Sequence, residues 1–218
     1  MPLATRHRDD AAPALALLPG LTVERDQDAA FMAKLQSRSE EEMHRRFAAG
    51  HRAYVARLHG EAAGWGWVAT ETAVIGELQS SLTIPAGERY LWNFVTLASH
   101  RGLGIYPRLL DGIVRVEARE ALRFWVAYAP ENHASGSGIY KAGFVNVAEL
   151  GFATSGRPAV SALVSGGGAT ASAVLGLPEE KEPLAPCWKC VRAGRGPMGC
   201  APTRCQCDYQ KPQQECAA

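Results

Sequence analysis

The chain has 218 residues, 47% hydrophobic and 21% charged, enough for one globular domain with an appendage and incompatible with wholesale disorder. Its 23 Lys and Arg stand against 22 Asp and Glu, so polyanion binding is not the main task and a nucleic-acid partner is not expected. No apolar run reaches the ~18 residues of a membrane span, and no membrane association is expected.

Residues 1–20 read as a loose N-terminal arm. They carry Asp9 and Asp10 and only a short apolar piece, Ala14 to Leu18, unlike a secretory leader, so the expected location is cytoplasmic. Leu21 to Arg25 predicts a first strand. A helix follows Asp28, with Phe31, Met32 and Leu35 at helical spacing, and Ser39 ahead of Glu40, Glu41 and Glu42 caps a second that ends near Gly50. Ala53 to Leu58, the His59-Gly60 turn and Ala63 to Ala69 predict a hairpin. Val74 to Leu82 is expected to extend the sheet, and the apolar run Tyr90 to Leu97 to be a central strand.

A glycine turn, Arg101-Gly102-Leu103-Gly104, precedes a helix whose apolar stripe is Ile105, Leu109, Ile113 and Val116. Pro107 is tolerated because it falls in the first turn. Phe124 to Ala129 predicts a strand, followed by a short helix stopping at Gly143, and then strands at Phe144 to Leu150 and Pro158 to Val164. The glycines and small residues of 165–182 predict a flexible linker. All six cysteines lie in the last segment, 183–218, which is a different kind of object from the cysteine-free body.

Strand, glycine turn and helix N-terminus together present unpaired backbone N–H groups and partial positive charge, a seat for a diphosphate. Roughly thirty residues on, Asn132-His133-Ala134-Ser135 leads through Ile139-Tyr140-Lys141 into Ala142-Gly143-Phe144. The pair R-x-x-G-x-[GA] and N-x-x-[AS], with a helix ending in GF, resembles the GNAT acetyltransferase superfamily over 21–164. The resemblance implies an α/β fold with a mixed sheet splayed between its fourth and fifth strands, and acetyl-CoA as co-substrate. It implies backbone pairing of Thr96 and Leu97 with the pantetheine arm, with a backbone N–H near Leu97 polarising the thioester carbonyl. Amides of Gly102, Leu103, Gly104, Ile105 and Tyr106 would hold the pyrophosphate, with Arg101 and Arg108 as charge partners. Asn132 and Ser135 would lie near the sulfur.

The sequence departs from that pattern twice. Tyr106 stands where the family has a small residue, so its ring must turn away from the phosphates. Ile139 stands where many members have the tyrosine that protonates the leaving thiolate, and the adjacent Tyr140, although rotated by ~100° on the helix, is the catalytic candidate there. A thiol of pKa about 8.5 leaves tolerably without such help. The implied reaction is acyl transfer to a primary amine, on a small molecule or peptide, with Glu88 and then Glu77 as candidate bases. Trp65 and Trp67 share a strand face; they read first as packing beneath a helix, and alternatively, with Trp92, as the wall of an acceptor pocket. His100 and His133 read as surface loop residues.

The tail runs CWKCVRAGRGPMGCAPTRCQCDYQKPQQEC. Cys187-x-x-Cys190 has the spacing of a metal knuckle, and Cys200, Cys205 and Cys207 offer the remaining thiolates for an all-sulfur zinc site. An iron–sulfur cluster and disulfides are the other readings. The alternative to an enzyme is a non-catalytic coenzyme-binding module whose zinc tail engages a protein partner.

Overall fold

The computed structural model describes residues 1–182 and Leu184, apart from Gln79 and Thr154. Every cysteine, and with it the expected metal set Cys187, Cys190, Cys200, Cys205 and Cys207, lies outside the described residues.

The strands are β1 Pro2–His7, β2 Leu21–Asp26, β3 Arg52–Leu58, β4 Glu61–Ala69, β5 Thr72–Ile75, β6 Ser80–Thr83, β7 Glu88–Thr96, β8 Arg123–Ala127, β9 Val145–Phe152 and β10 Pro158–Ala162. The helices are α1 Ala29–Gln36, α2 Glu40–Ala48, α3 Ile105–Glu117, α4 His133–Lys141 and α5 Gly167–Leu175. Eight strands form one mixed sheet in the order β10-β9-β1-β8-β7-β4-β3-β2, while β5 and β6 make a separate ribbon. All its neighbours run antiparallel except β7 and β8, which are parallel and joined through α3.

The local signals act as expected in several places. Asp28 and Ser39 cap α1 and α2, accepting from the amides of Phe31 and Glu42. His59 and Gly60 both take positive φ, 51° and 86°, as the tight turn between β3 and β4 requires.

Other expectations are corrected. The N-terminal arm is not loose throughout: Pro2–His7 is inserted between β8 and β9. Leu3 and Ala4 are fully buried on its two faces, and Arg6, also buried, reaches Asp111 of α3 at 2.9 Å and the Ala142 carbonyl. The stretch expected to be a flexible linker contains α5, whose Ala171, Val174 and Leu175 pack into the core with Val160. Val74 to Leu82 does not extend the main sheet but pairs as its own ribbon. In α3 the buried stripe is Ile105, Leu109, Leu110, Ile113 and Val114, whereas Val116 is exposed.

Two faces of the sheet are covered. On one, α3 and α4 bury Leu91, Phe124 and Val126. On the other, α1 and α2 cover Trp65 and Trp67, and α5 and the β5–β6 ribbon cover Tyr90, Trp125 and Leu150. Trp67 is wholly buried, its indole N–H donating to Gln36, so the tryptophan pair packs beneath helices. A buried charge cluster ties α3 down: Glu117 accepts from Tyr54 (2.5 Å), Arg52 (2.8 Å) and Arg89 (2.8 Å). Burial alone would push the Glu117 carboxyl up, but these bonds and the Arg52 charge hold it below the usual carboxylate range.

Candidate functional site

The parallel pair β7–β8 is short. Glu88 to Leu91 pair with Arg123 to Val126, and beyond Leu91 the rest of β7 continues beside β4 alone. The strands therefore part at Trp92, and a groove opens on the exposed edge of β7.

A bulge aims the side chains of that edge. Trp65 opposes Val95 and Trp67 opposes Trp92, so β7 carries one residue more than β4 between those pairs. Asn93 sits there with φ 52°, the left-handed region that asparagine tolerates better than most residues. The extra residue changes the phase of the strand. Phe94, like Leu91, packs on the α3 face, while Trp92 and Val95 pack on the opposite one. Gly66 of β4 leaves room for the Phe94 ring, where any Cβ would overlap it. Phe94 in turn packs against Tyr106, with ring centroids 5.4 Å apart and the planes tilted by 58°.

The groove holds a cavity of about 790 Å³ at the N-terminus of α3. That terminus has no side-chain cap, so its first amides are open to a ligand. Gly102 and Gly104 take φ 81° and 69°, conformations that favour glycine. His100, Arg101, Arg108 and Lys141 line the cavity, and no carboxylate does. Arg108 donates to the carbonyls of Gly104 (2.8 Å) and Ala16 (2.7 Å), so none of its charge is neutralised by an acid there. Residues 14–16 of the N-terminal segment form one wall. Uncapped amides, three permanent cations and no anion fit a phosphate-bearing ligand.

A second cavity of about 580 Å³ adjoins the first. Arg38, Arg46, Glu77, Tyr90, Trp92 and Tyr128 are among its walls, and Phe94, Tyr106, Asn132 and Ser135 line both cavities. Arg46 lies over the rings of Trp67 and Trp92 at 4.9 and 4.8 Å and pairs with Glu42. His51 meets Trp92 edge-on at 5.1 Å, and burial, followed by the Arg46 charge, lowers its pKa.

The expected coenzyme residues are largely brought together. Thr96, Arg101, Gly102, Gly104, Ile105, Tyr106, Asn132 and Ser135 all line the first cavity; Leu103 is exposed on the turn and is not among the lining residues. The Leu97 amide donates to Ala63 at 2.9 Å, so it is turned toward β4 and is not available to polarise a carbonyl in the groove. Thr96, one residue back, faces the open side, where Arg101 reaches its carbonyl at 3.4 Å. Asn132 caps α4, its carboxamide oxygen accepting from the Ser135 amide at 3.0 Å; the N-x-x-S pattern is first of all a helix start.

The two residues expected to carry chemistry are elsewhere. Glu88 begins the nine-residue β7, roughly 25 Å along the strand from Thr96 at ~3.3 Å per residue. It accepts from the Trp125 indole and lines neither cavity. Tyr140 is 78% exposed and also lines neither, while Ile139 is buried in the core. Tyr106 turns its ring toward α4, with its hydroxyl 3.2 Å from Ser135 Oγ, and burial pushes its phenol up to about 12.

Sequence reading missed Lys141 and Phe94 and set His100 aside. Lys141 lies on α4 rather than in the glycine turn, and Phe94 reaches the groove only through the bulge. Among the described residues no group of three or more His, Cys, Asp or Glu is placed to hold a metal ion, and no helix is long and apolar enough to cross a membrane.

No family model matches the sequence, and no curated protein matches it. Among the solved structures that the chain resembles are GNAT-family acetyltransferases. A GCN5-related N-acetyltransferase from Kribbella flavida is 16% identical, with 66% of this chain and 53% of that one covered, at TM-score 0.42. A GNAT-family acetyltransferase from Novosphingobium aromaticivorans is 20% identical, covering 66% and 59%, at 0.43. One from Streptococcus pneumoniae is 16% identical, covering 61% and 89%, at 0.44. The chain thus spans little more than half the length of the first two, and likeness of this degree assigns no activity.

Proposed function

We propose that the protein is an acyl-CoA-dependent N-acyltransferase of GNAT type, transferring acetyl from acetyl-CoA to a primary amine. The observation that carries this reading is the groove at the parting of β7 and β8, where an uncapped helix N-terminus and a carboxylate-free set of cations meet. Amides of the Gly102–Tyr106 turn would take the pyrophosphate, with Arg101, Arg108 and Lys141 supplying charge. The exposed edge of Thr96 would pair with the amide-bearing arm, and the thioester would cross between the cavities beside Phe94, Tyr106, Asn132 and Ser135.

Glu77 lines the second cavity and replaces Glu88 as the proposed base. An amine there must lose a proton to attack, directly to the carboxylate or through water. The acceptor is a small molecule or a peptide amine, and the expected setting is the cytoplasm. The exposed Tyr140 favours a second reading, a coenzyme-binding module without turnover. The zinc site is proposed on the spacing of the tail cysteines alone, as is a protein partner for the tail. Titration with acetyl-CoA by calorimetry, followed by an amine panel scored by thiol release, separates the readings. Binding with turnover supports the transferase, binding without turnover the module, and absence of binding overturns both.

A further inference from the structure

Tyr106 stands on the boundary of the two cavities, both of which it lines together with Phe94, Asn132 and Ser135. Its ring is fixed from two sides. Phe94 packs on it with the rings tilted by 58° and centroids 5.4 Å apart, and Gly138 of α4 is bare where the ring lies, so that any Cβ there would overlap it. The hydroxyl is held at the N-terminal turn of α4 by Ser135 Oγ at 3.2 Å. The flanking tyrosine of α4 points to solvent, and the residue before it is an isoleucine buried in the core.

We propose that the Tyr106 hydroxyl, supplied from α3 rather than α4, is the hydrogen-bond donor to the coenzyme sulfur as the thioester breaks. This rests on the acyl-transfer reading above. In the step concerned, the amine nitrogen forms a bond to the acyl carbon and the carbon–sulfur bond breaks. The bonding pair leaves on sulfur, and the amine proton goes to Glu77 or to water. Tyr106 donates a hydrogen bond to the thiolate without surrendering its proton: a phenol held at about 12 is a far weaker acid than a thiol of reference pKa about 8.5. Ser135 can donate to the phenolic oxygen, leaving the phenolic proton free for sulfur.

The test uses the full chain and the isosteric Tyr106→Phe variant, which keeps the ring contacts with Phe94 and Gly138. Coenzyme A is bound to each, and the pKa of its thiol is followed by thiolate absorbance across pH, a readout needing no acceptor. A donor to the thiolate holds the bound thiol lower in wild type, by about one unit relative to the variant. Where an acceptor is known, kcat for acetyl transfer falls ~10–100-fold with KM for acetyl-CoA little changed. Equal thiol pKa values in the two complexes overturn the proposal while leaving the coenzyme site standing. Tighter binding by the variant also overturns it, since the hydroxyl would then be an obstruction. Failure of wild type to bind coenzyme A overturns the acyl-transfer reading itself, and this inference with it.

Discussion

Gly138 and Tyr106 fit each other by subtraction: α4 has no side chain where the phenol ring of α3 lies against it. The ring is closed in from the other side by Phe94. It therefore has little freedom to give way. Gly138→Ala should cost about 1–3 kcal/mol from overpacking, even though alanine favours a helix by about 1 kcal/mol over glycine. Denaturant melts check this. The same variant should weaken acetyl-CoA binding, because the displaced ring lines both cavities. A stabilised variant would show that the ring has room to move.

Gly104→Glu should abolish measurable coenzyme binding. Gly104 has φ 69°, so any side chain there is strained, and its Cβ would press on the Arg108 guanidinium. A carboxylate there would also neutralise that cation at the mouth of an anion site. Calorimetry on the folded variant reads the result; unchanged affinity would place the diphosphate elsewhere.

Asn93→Val should destabilise by about 1–2 kcal/mol, and Asn93→Gly by much less. The left-handed backbone at this position sets the bulge that swings Phe94 onto the α3 face. Thermal melts of the two variants side by side isolate the backbone term. Equal losses would mean that the asparagine side chain, and not its φ, is what the fold needs.

Glu117 gives the fold an acid limit. Its carboxyl is depressed in the folded state, so the unfolded chain takes up the proton first as pH falls. The stability it contributes is present above the unfolded value of about 4.3 and is lost as pH drops through the lower folded value. Glu117→Gln should cost about 1–3 kcal/mol at pH 7, since Arg52 and Arg89 lose their buried partner and keep only the exposed Glu120 as a charge partner, and should flatten the acid limb of the stability curve. Urea midpoints between pH 3 and 7 measure both effects. A variant limb as steep as wild type would assign the acid transition to other carboxylates.

Leu184 packs against Gly151, and Glu179 bridges to Val160, so the body of the fold extends to that point. A chain ending after Leu184 should stay folded and bind acetyl-CoA as the full chain does. About one zinc per chain should be found in the full protein and none in the truncated one. Metal analysis of both, purified without added zinc, decides it; equal zinc in the two places the metal outside the tail, and iron in place of zinc favours the cluster reading.

The helix starts and the glycine turn were legible because capping and positive φ are local demands, met by Asp28, Ser39, Gly102 and Gly104. β1 was not legible. The arginine near its end disguises a core strand, and Arg6 is compatible with burial only through Asp111 and the Ala142 carbonyl, both far along the chain. α5 begins with two glycines of weak helix propensity, Gly167 and Gly168, and is held by packing on β9 and β10. The groove split the same way. The turn and the N-cap were readable, but which carboxylate lines a cavity depended on where β7 and β8 part. Glu88 lies on the paired side of that point. Tyr106 looked out of place as a sequence position, and its partner Gly138 looked unremarkable; only their contact explains either.

The place of β1 also orders events in time. Thr5 bonds to Phe124, 119 residues later, and its other neighbour, β9, comes later still. β1, which precedes the other strands of this sheet in sequence, is thus among the last to find its partners. β2, β3, β4 and β7, each adjacent to the next in the sheet, can assemble as a meander while β1 waits. Closing so long a loop makes for slow folding, and until it closes, β8 presents an open, apolar edge. A nascent chain stalled before β8 would hold the meander and the glycine turn but no completed sheet.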